Sequence, residues 1–360
     1  MKALIRNTGR IMSAALAAQA LLPVSPAQAQ EDQVVPCDTS ALIAAIKAVN
    51  AAGSGTLTLT SGCDYVLTEP ASTGASGPNG LPIITASVTI VGDGTQITRA
   101  SDAPRFRILE VATSGLVKLI SLTVRGGDAG ANSGGGILLS SLGGLALRTS
   151  TVEDNTAARG GGIANAGGRL TLVDTVVEGN RATSTVSLPS TGPVISTSAD
   201  AVHRIRRTPA KRSHIDPAPM TGRTPHHKRG GKARGLVAVP AGHGGGIVNA
   251  GELKTIRGRI GSNEALMGGG VANEKGGTAT FRNTTINGNT AGKRGGGVYN
   301  APGGTSRVIS ASISQNTANG TGGGLYNGYI SGAVRLSGST VAENTADNCA
   351  PSGSIAGCPR

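Results

Sequence analysis

The run Gly295-Gly296-Gly297-Val298-Tyr299-Asn300, followed further on by Ile313-Ser314-Gln315-Asn316, decides the fold of this chain because both phrases return. Glycine triplets begin at Gly134, Gly160, Gly244, Gly268, Gly295 and Gly322, and each is followed by an aliphatic residue: Ile137, Ile163, Ile247, Val271, Val298 and Leu325. Two residues on stands Asn165, Asn249, Asn273, Asn300 or Asn327, with Leu139 the exception. A second asparagine arrives 16 to 19 residues after each aliphatic: Asn155, Asn180, Asn263, Asn289, Asn316 and Asn344. Three positions before it sits Val152, Val177, Ile260, Ile286, Ile313 or Val341. The period is 24 to 28 residues, apart from one gap.

A period of this length is the mark of a solenoid. Alternations such as Leu145-Ala146-Leu147 and Leu170-Thr171-Leu172 read as strands of three to five residues, too short to bury a face alone. Stacked on their own copies about 4.8 Å apart, they form columns of like side chains and complete the backbone ladder from coil to coil. Glycines serve the corners, where a positive φ or close backbone approach is needed. Asparagine at the Asn155, Asn180, Asn263, Asn289, Asn316 and Asn344 corner tolerates a left-handed backbone and can stack its amides, whereas stacked carboxylates would repel. Glycine is 57 of 360 residues, against a typical share of roughly 7%, and aromatics are 2%; the glycine content and the short alternation exclude helical-hairpin repeats. The reading is all-β, a parallel β-helix of roughly nine coils.

The ends are read separately. Lys2, Arg6 and Arg10, an apolar stretch from Ile11 to Val24, and Ala27-Gln28-Ala29 form a signal-peptide pattern over 1–29. No later stretch is long and apolar enough to span a bilayer. Over 30–55 an N-terminal cap is expected, with Asp38-Thr39-Ser40 starting a helix whose Leu42, Ile43, Ile46 and Val49 share a face. Solenoid is expected over 56–183 and 241–348, and a closed tail over 349–360. Four cysteines allow three connectivities; the choice that clamps each end is Cys37–Cys63 and Cys349–Cys358.

The one gap is the corner between Asn180 and Gly244, which carries the insertion 184–240. It holds seven prolines and ten Lys/Arg against Asp200 and Asp216, a net +8. Of the formal +13, +3 lies in the signal segment and +2 in everything else, so the solenoid is nearly neutral. The segment reads as disordered, and as either a tolerated insertion or a basic arm for an anionic surface such as an envelope polysaccharide. No aromatic residues interleave with the charges, so specific nucleic-acid binding is not expected.

Chemistry is sparse. All five histidines, His203, His214, His226, His227 and His243, lie in or beside the insertion, which argues against a histidine-based triad in the coils. No phosphate loop, cofactor motif or metal-ligand spacing occurs. Glu153 and Glu178 each precede a repeat asparagine by two residues and so should stack, with Asp154 and Asp174 near and Arg181 in reach. That separation suits a retaining glycosidase pair or a calcium site, although solvated charges ordinarily occupy such positions. Tyr299 and Tyr326 share a repeat position, with Tyr329 close by, and should form a small exposed aromatic patch, read either as cross-strand stabilisation of a glycine-rich sheet or as a contact for a glycan or a partner protein.

The phrases Gly160 to Asn165, Thr151 to Ala157 and Thr340 to Ala346 resemble secreted right-handed parallel β-helix proteins of the pectin-lyase-like superfold. Cys37 to Ile43 and Asn344 to Cys358 resemble actinobacterial members of that group, and the glycine and asparagine phrases are similar to polymorphic outer-membrane protein repeats. The resemblance implies a right-handed coil and an extracellular or cell-surface role, and transfers no catalytic residue, because the superfold hosts lyases, hydrolases and passive scaffolds. The expectation is a secreted, non-catalytic, adhesin-like binding rod, with an extracellular polysaccharide lyase or hydrolase as the alternative.

Overall fold

The computed structural model describes residues 33–184, 239–240, 242–328 and 333–359. The expected signal segment, nearly all of the insertion, and Tyr329 lie outside them. The described chain is a parallel β-solenoid of about nine turns. Each full coil crosses a broad sheet twice, as in Gly144–Arg148 and Thr151–Glu153. It then crosses a narrow corner sheet (Thr156–Ala157) and a short sheet (Ile163–Asn165).

Register follows the repeat. Ile163 pairs with Ile137 on one side and Ile247 on the other, and the column continues through Val271, Val298 and Leu325, all fully buried. Val152, Val177, Ile260, Ile286, Ile313 and Val341 form a second buried column. Ala157, Ala182, Ala265, Ala291 and Ala318 are buried on the narrow corner side. Each large aliphatic contributes about 1.5–3 kcal/mol by leaving water. Because Ile163 and Ile247 are direct neighbours, the insertion leaves the coil stack unbroken. The chain departs through Arg181–Ser184 and returns through Val239–Pro240, two strands paired antiparallel.

The two asparagine phrases form two ladders. In the first, Asn155 Nδ2 donates to Asn180 Oδ1 (3.0 Å), and the chain of donations runs through Asn263, Asn289 and Asn316 to Asn344. From Asn180 onward each Oδ1 also accepts the backbone N–H of the asparagine one coil before, as in Asn180 N to Asn263 Oδ1, while Asn155 Oδ1 accepts from Gly127 N. The second ladder joins Asn165, Asn249, Asn273, Asn300 and Asn327. The left-handed residue, however, is the one before the first-ladder asparagine: Asp154, Gly179, Ser262, Gly288, Gln315 or Glu343. The expectation of left-handed asparagines is corrected accordingly, since the amide must point inward to stack and leaves the reversal to its neighbour.

The glycine triplet has a matching cause. Gly160 turns at φ +61°, and a Cβ on Gly161 would stand 2.5 Å from the carbonyl oxygens of Arg181 and Gly245. A Cβ on Gly162 would stand 2.9 Å from the Asn180 amide carbon, so the triplet lets the corner pass directly over the ladder.

Strand Gln33–Val35 adds a first rung on Leu57–Leu59, ahead of the helix. The helix Thr39–Ala52 is capped by Asp38, whose carboxylate accepts the Ala41 N–H, and its Leu42, Ala45, Ile46 and Val49 cover the open end of the core. Ile43 is only partly buried; Ala45 takes the place expected of it. Cys37–Cys63 ties this cap down and Cys349–Cys358 closes the other end, where Cys349–Ala350 completes the short sheet. Among the described residues no helix is long and apolar enough to cross a membrane.

Candidate functional site

The carboxylates expected to form a pair do meet in register: Glu153 and Glu178 are opposed on neighbouring strands. Each is taken up by an arginine from another coil. Arg125 reaches Glu153 at 3.5 Å and Asp154 at 3.3 Å, and Arg259 binds Glu178. Asp174 stands at the other bend of the broad sheet, held by Arg257 through bonds of 2.8 and 2.7 Å. The hydrogen bond from Arg257 keeps the Asp174 carboxyl below its usual range. Arg181, expected near this group, pairs with Glu264 on the corner sheet instead. A retaining glycosidase needs one carboxyl as acid and another as nucleophile, and here each carboxylate faces a guanidinium. Asp154 and Arg125 also border an open cleft of about 550 Å³ with Asp64, Gln96, Thr98 and Asp128.

The richer constellation lies outside the short sheet, in the crease it makes with the corner. The outward position of that sheet is occupied by Leu138, Ala164, Val248, Ala272, Tyr299 and Tyr326 in successive coils. The residue before each glycine triplet forms a facing column: Ser133, Arg159, His243, Met267, Arg294 and Thr321. Tyr299 and Tyr326 stack, with centroids 5.4 Å apart and planes 15° from parallel. The Arg294 guanidinium lies 4.9 Å over the Tyr326 ring, a cation–π contact. The edge of His243 meets Tyr299 at 6.0 Å.

The patch is less exposed than its sequence position implies. Tyr299 is 7% exposed and belongs to an apolar cluster with Leu138, Ala164, Val248 and Ala272, against which Met267 and Tyr326 pack. Only Tyr326 of the stacked pair offers a partly open ring. Burial first, then the charge of Glu274 and the neighbouring Tyr326, push the Tyr299 hydroxyl above its ordinary value. A buried outward residue was not legible because the crease wall comes from the preceding corner.

Histidine is also placed where the distribution of the five histidines gave no reason to expect it. His243 is the first described residue of the facing column after the insertion to carry a ring, and its Nδ1 lies 2.7 Å from Glu274 Oε1. The same oxygen is 3.2 Å from Arg159 Nη2. Burial would push the Glu274 carboxyl up, but the hydrogen bond and charge of His243 together with Arg159 bring it below 4.5. The small side chains of Ala164 and Ala272 occupy the outward column beside this network. The sequence signal for His243 was its position directly before a triplet, which Arg159, Met267 and Arg294 share.

Chemically the crease offers a rigid aromatic surface, two guanidinium groups, an imidazole and one oriented carboxylate. Tyrosine provides rigid amphipathic contact area at low entropic cost. Among the described residues no group of three or more His, Cys, Asp or Glu could hold a metal ion. The fold defines the class as a parallel β-solenoid. Comparison with protein-family models, curated proteins and solved structures finds no match for the chain.

Proposed function

We propose that this protein is a secreted, non-catalytic binding rod of the cell envelope, adhesin-like in use, with the tyrosine crease as its glycan contact. The observation that carries this reading is the stacked Tyr299–Tyr326 pair flanked by Arg294 and by the His243–Glu274–Arg159 network. An aromatic face beside fixed donors and an acceptor suits a sugar ring, which presents an apolar face and a rim of hydroxyls. The two disulfides accord with an oxidising, extracellular setting. The short three-sided coils and asparagine ladders support assignment to the pectin-lyase-like type. The basic insertion 184–240 is proposed as a further contact to anionic envelope polymer, in keeping with its net +8.

A panel of envelope polysaccharides, immobilised and probed with the full chain, tests the reading. Retention should fall about tenfold on Tyr326→Ala, equivalent to about 1.4 kcal/mol, with the variant still folded at the assay temperature. Retention unaffected by Tyr326→Ala refutes the crease as the contact, and loss on deleting 184–240 alone assigns binding to the insertion. Release of unsaturated or reducing sugars from a polyuronate, abolished by Glu178→Gln, would replace this reading with the lyase or hydrolase one.

A further inference from the structure

The first crossing of the broad sheet turns three columns of side chains outward. The middle column holds Lys118, Lys254, Arg307 and Arg335, with only threonine and alanine at its other positions. The column beside the bend carries Arg148 and Arg282 among half-buried Val91, Ile120, Val173, Ile256 and Ile309. All six cations are exposed, and none of their side chains has an ion pair or hydrogen bond among the described residues. The carboxylates here, Glu252 and, at the bend, Asp174, are already held by Arg169 and Arg257. In the third column Leu116 is 56% exposed and leans over Gly144, where a Cβ would stand 2.8 Å from Leu116 Cδ2. Gly144 and Ala146 thereby leave a shallow groove of about 280 Å³ beside Leu116. Two residues before Gly144 comes Leu142, 82% exposed, the most exposed large apolar side chain among those described. Its backbone is left-handed, φ +64°, at a corner where other coils place Gly167, Gly276 and Gly303.

A branched side chain in left-handed backbone is strained, and an exposed leucine adds nothing to the core. Neither the turn nor the solenoid interior accounts for Leu142. We infer that this face lies on an anionic phospholipid bilayer, with Leu142 and Leu116 entering the boundary between headgroups and acyl chains. The six cations, spread over about 30 Å of rod at the strand spacing, then meet lipid phosphates. Binding at such a boundary combines buried apolar area with attraction to anionic lipid. Lysine and arginine suit the arrangement, because their stems lie along apolar surface while their charged ends reach the phosphates. A hydroxylated polyanion would use the charges but gain nothing from Leu142, Leu116 or the apolar column. The same columns hold no aromatic ring on which a nucleic-acid base could stack. The face is distinct from the tyrosine crease and from residues 184–240, and the inference stands independently of the proposed function.

The test is co-sedimentation of the full chain with vesicles of equal parts phosphatidylglycerol and phosphatidylcholine. Affinity should fall about tenfold in Leu142→Gly and about tenfold in Arg307→Ser/Arg335→Ser. Leu142→Gly should fold as the parent does, since glycine holds the same corner in three other coils. The chain contains no tryptophan, so Leu142→Trp places a single reporter at the corner. Its emission should shift to the blue when vesicles are added. Absence of vesicle binding, or an emission that does not move, overturns the inference. Equal affinity of parent and Leu142→Gly also overturns it, leaving charge alone, including that of 184–240, as the cause. So does tighter binding of alginate or of duplex DNA than of vesicles, lost in Arg307→Ser/Arg335→Ser and kept in Leu142→Gly.

Discussion

The coils before residue 184 and those after residue 242 share one interior but treat their outer charges differently. Inside, Leu172 is stacked on Thr255 and that on Phe281, and the ladder passes from Asn180 to Asn263 without interruption. Outside, Glu153 and Asp154 are matched by Arg125 of their own half and Asp174 and Glu178 by Arg257 and Arg259 from after the insertion, whereas Lys118 in the first half and Arg282, Arg307 and Arg335 in the second meet no carboxylate among the described residues. The contrast teaches that stacking forces likeness only where a side chain is enclosed by its copies. An outward side chain is bounded by solvent on one side and is free to vary, so charge can be balanced at one coil and left open at another.

Cutting the shared interior should give the largest effect. Asn263 accepts from Asn180 and donates to Val177 O and Asn289 Oδ1, all buried. Asn263→Leu should cost about 3 kcal/mol or more, because it leaves several buried polar groups unpaired. Thermal melting should remain a single transition shifted down; two separate transitions would show that the halves are independent domains and break the comparison.

Next in size is the crease network, which joins Arg159 before the insertion to His243 and Glu274 after it. A glutamate whose carboxyl is lowered in the folded state stabilises above its unfolded value and loses that contribution as pH falls through the lowered one. Glu274→Gln should therefore cost about 1 kcal/mol near neutral pH, allowing for solvent screening. The gap between parent and variant should close as pH drops below 4.5. Denaturant titrations across pH 7 to 3 check this; a gap that widens in acid would contradict the assignment.

Smaller still is Arg335→Glu, which converts a like-charge stack into an opposite-charge one and should stabilise by about 0.5 kcal/mol. A fall in melting temperature would show that Arg335 makes a stabilising contact and would weaken the contrast between coils. Smallest is Arg257→Ala. Its partner Asp174 is exposed, as is Arg257 itself, so no measurable change in melting is expected despite good bond geometry.

Much of the fold was legible in particular residues. Ile137, Ile163 and Ile247 predicted one internal column and they form it; Asn165 and its copies, noticed as a recurrence, form a second amide ladder. The bend inside the broad sheet was not legible, because its left-handed position is filled by Thr149, Asp174, Arg257, Asn283 and Ser310, which share no side-chain chemistry. The candidate site was less legible. Glu153 and Glu178 were rightly placed in register, but the arginines that occupy them could not be assigned from spacing. Tyr299 was read as exposed because alternation tells which way a side chain points and not what stands in front of it.

By itself the sequence determined the coil, its period and the vertical order of its columns. In a solenoid the partner of each strand is its own copy one period away, so the repeat writes the register directly. Only the tertiary structure decided which outward groups meet: Glu274 with both His243 and Arg159, Arg181 with Glu264, and Arg307 facing Arg335 with no carboxylate between them. Those meetings depend on side-chain reach across coils and on the depth of the crease, and a one-dimensional repeat carries neither.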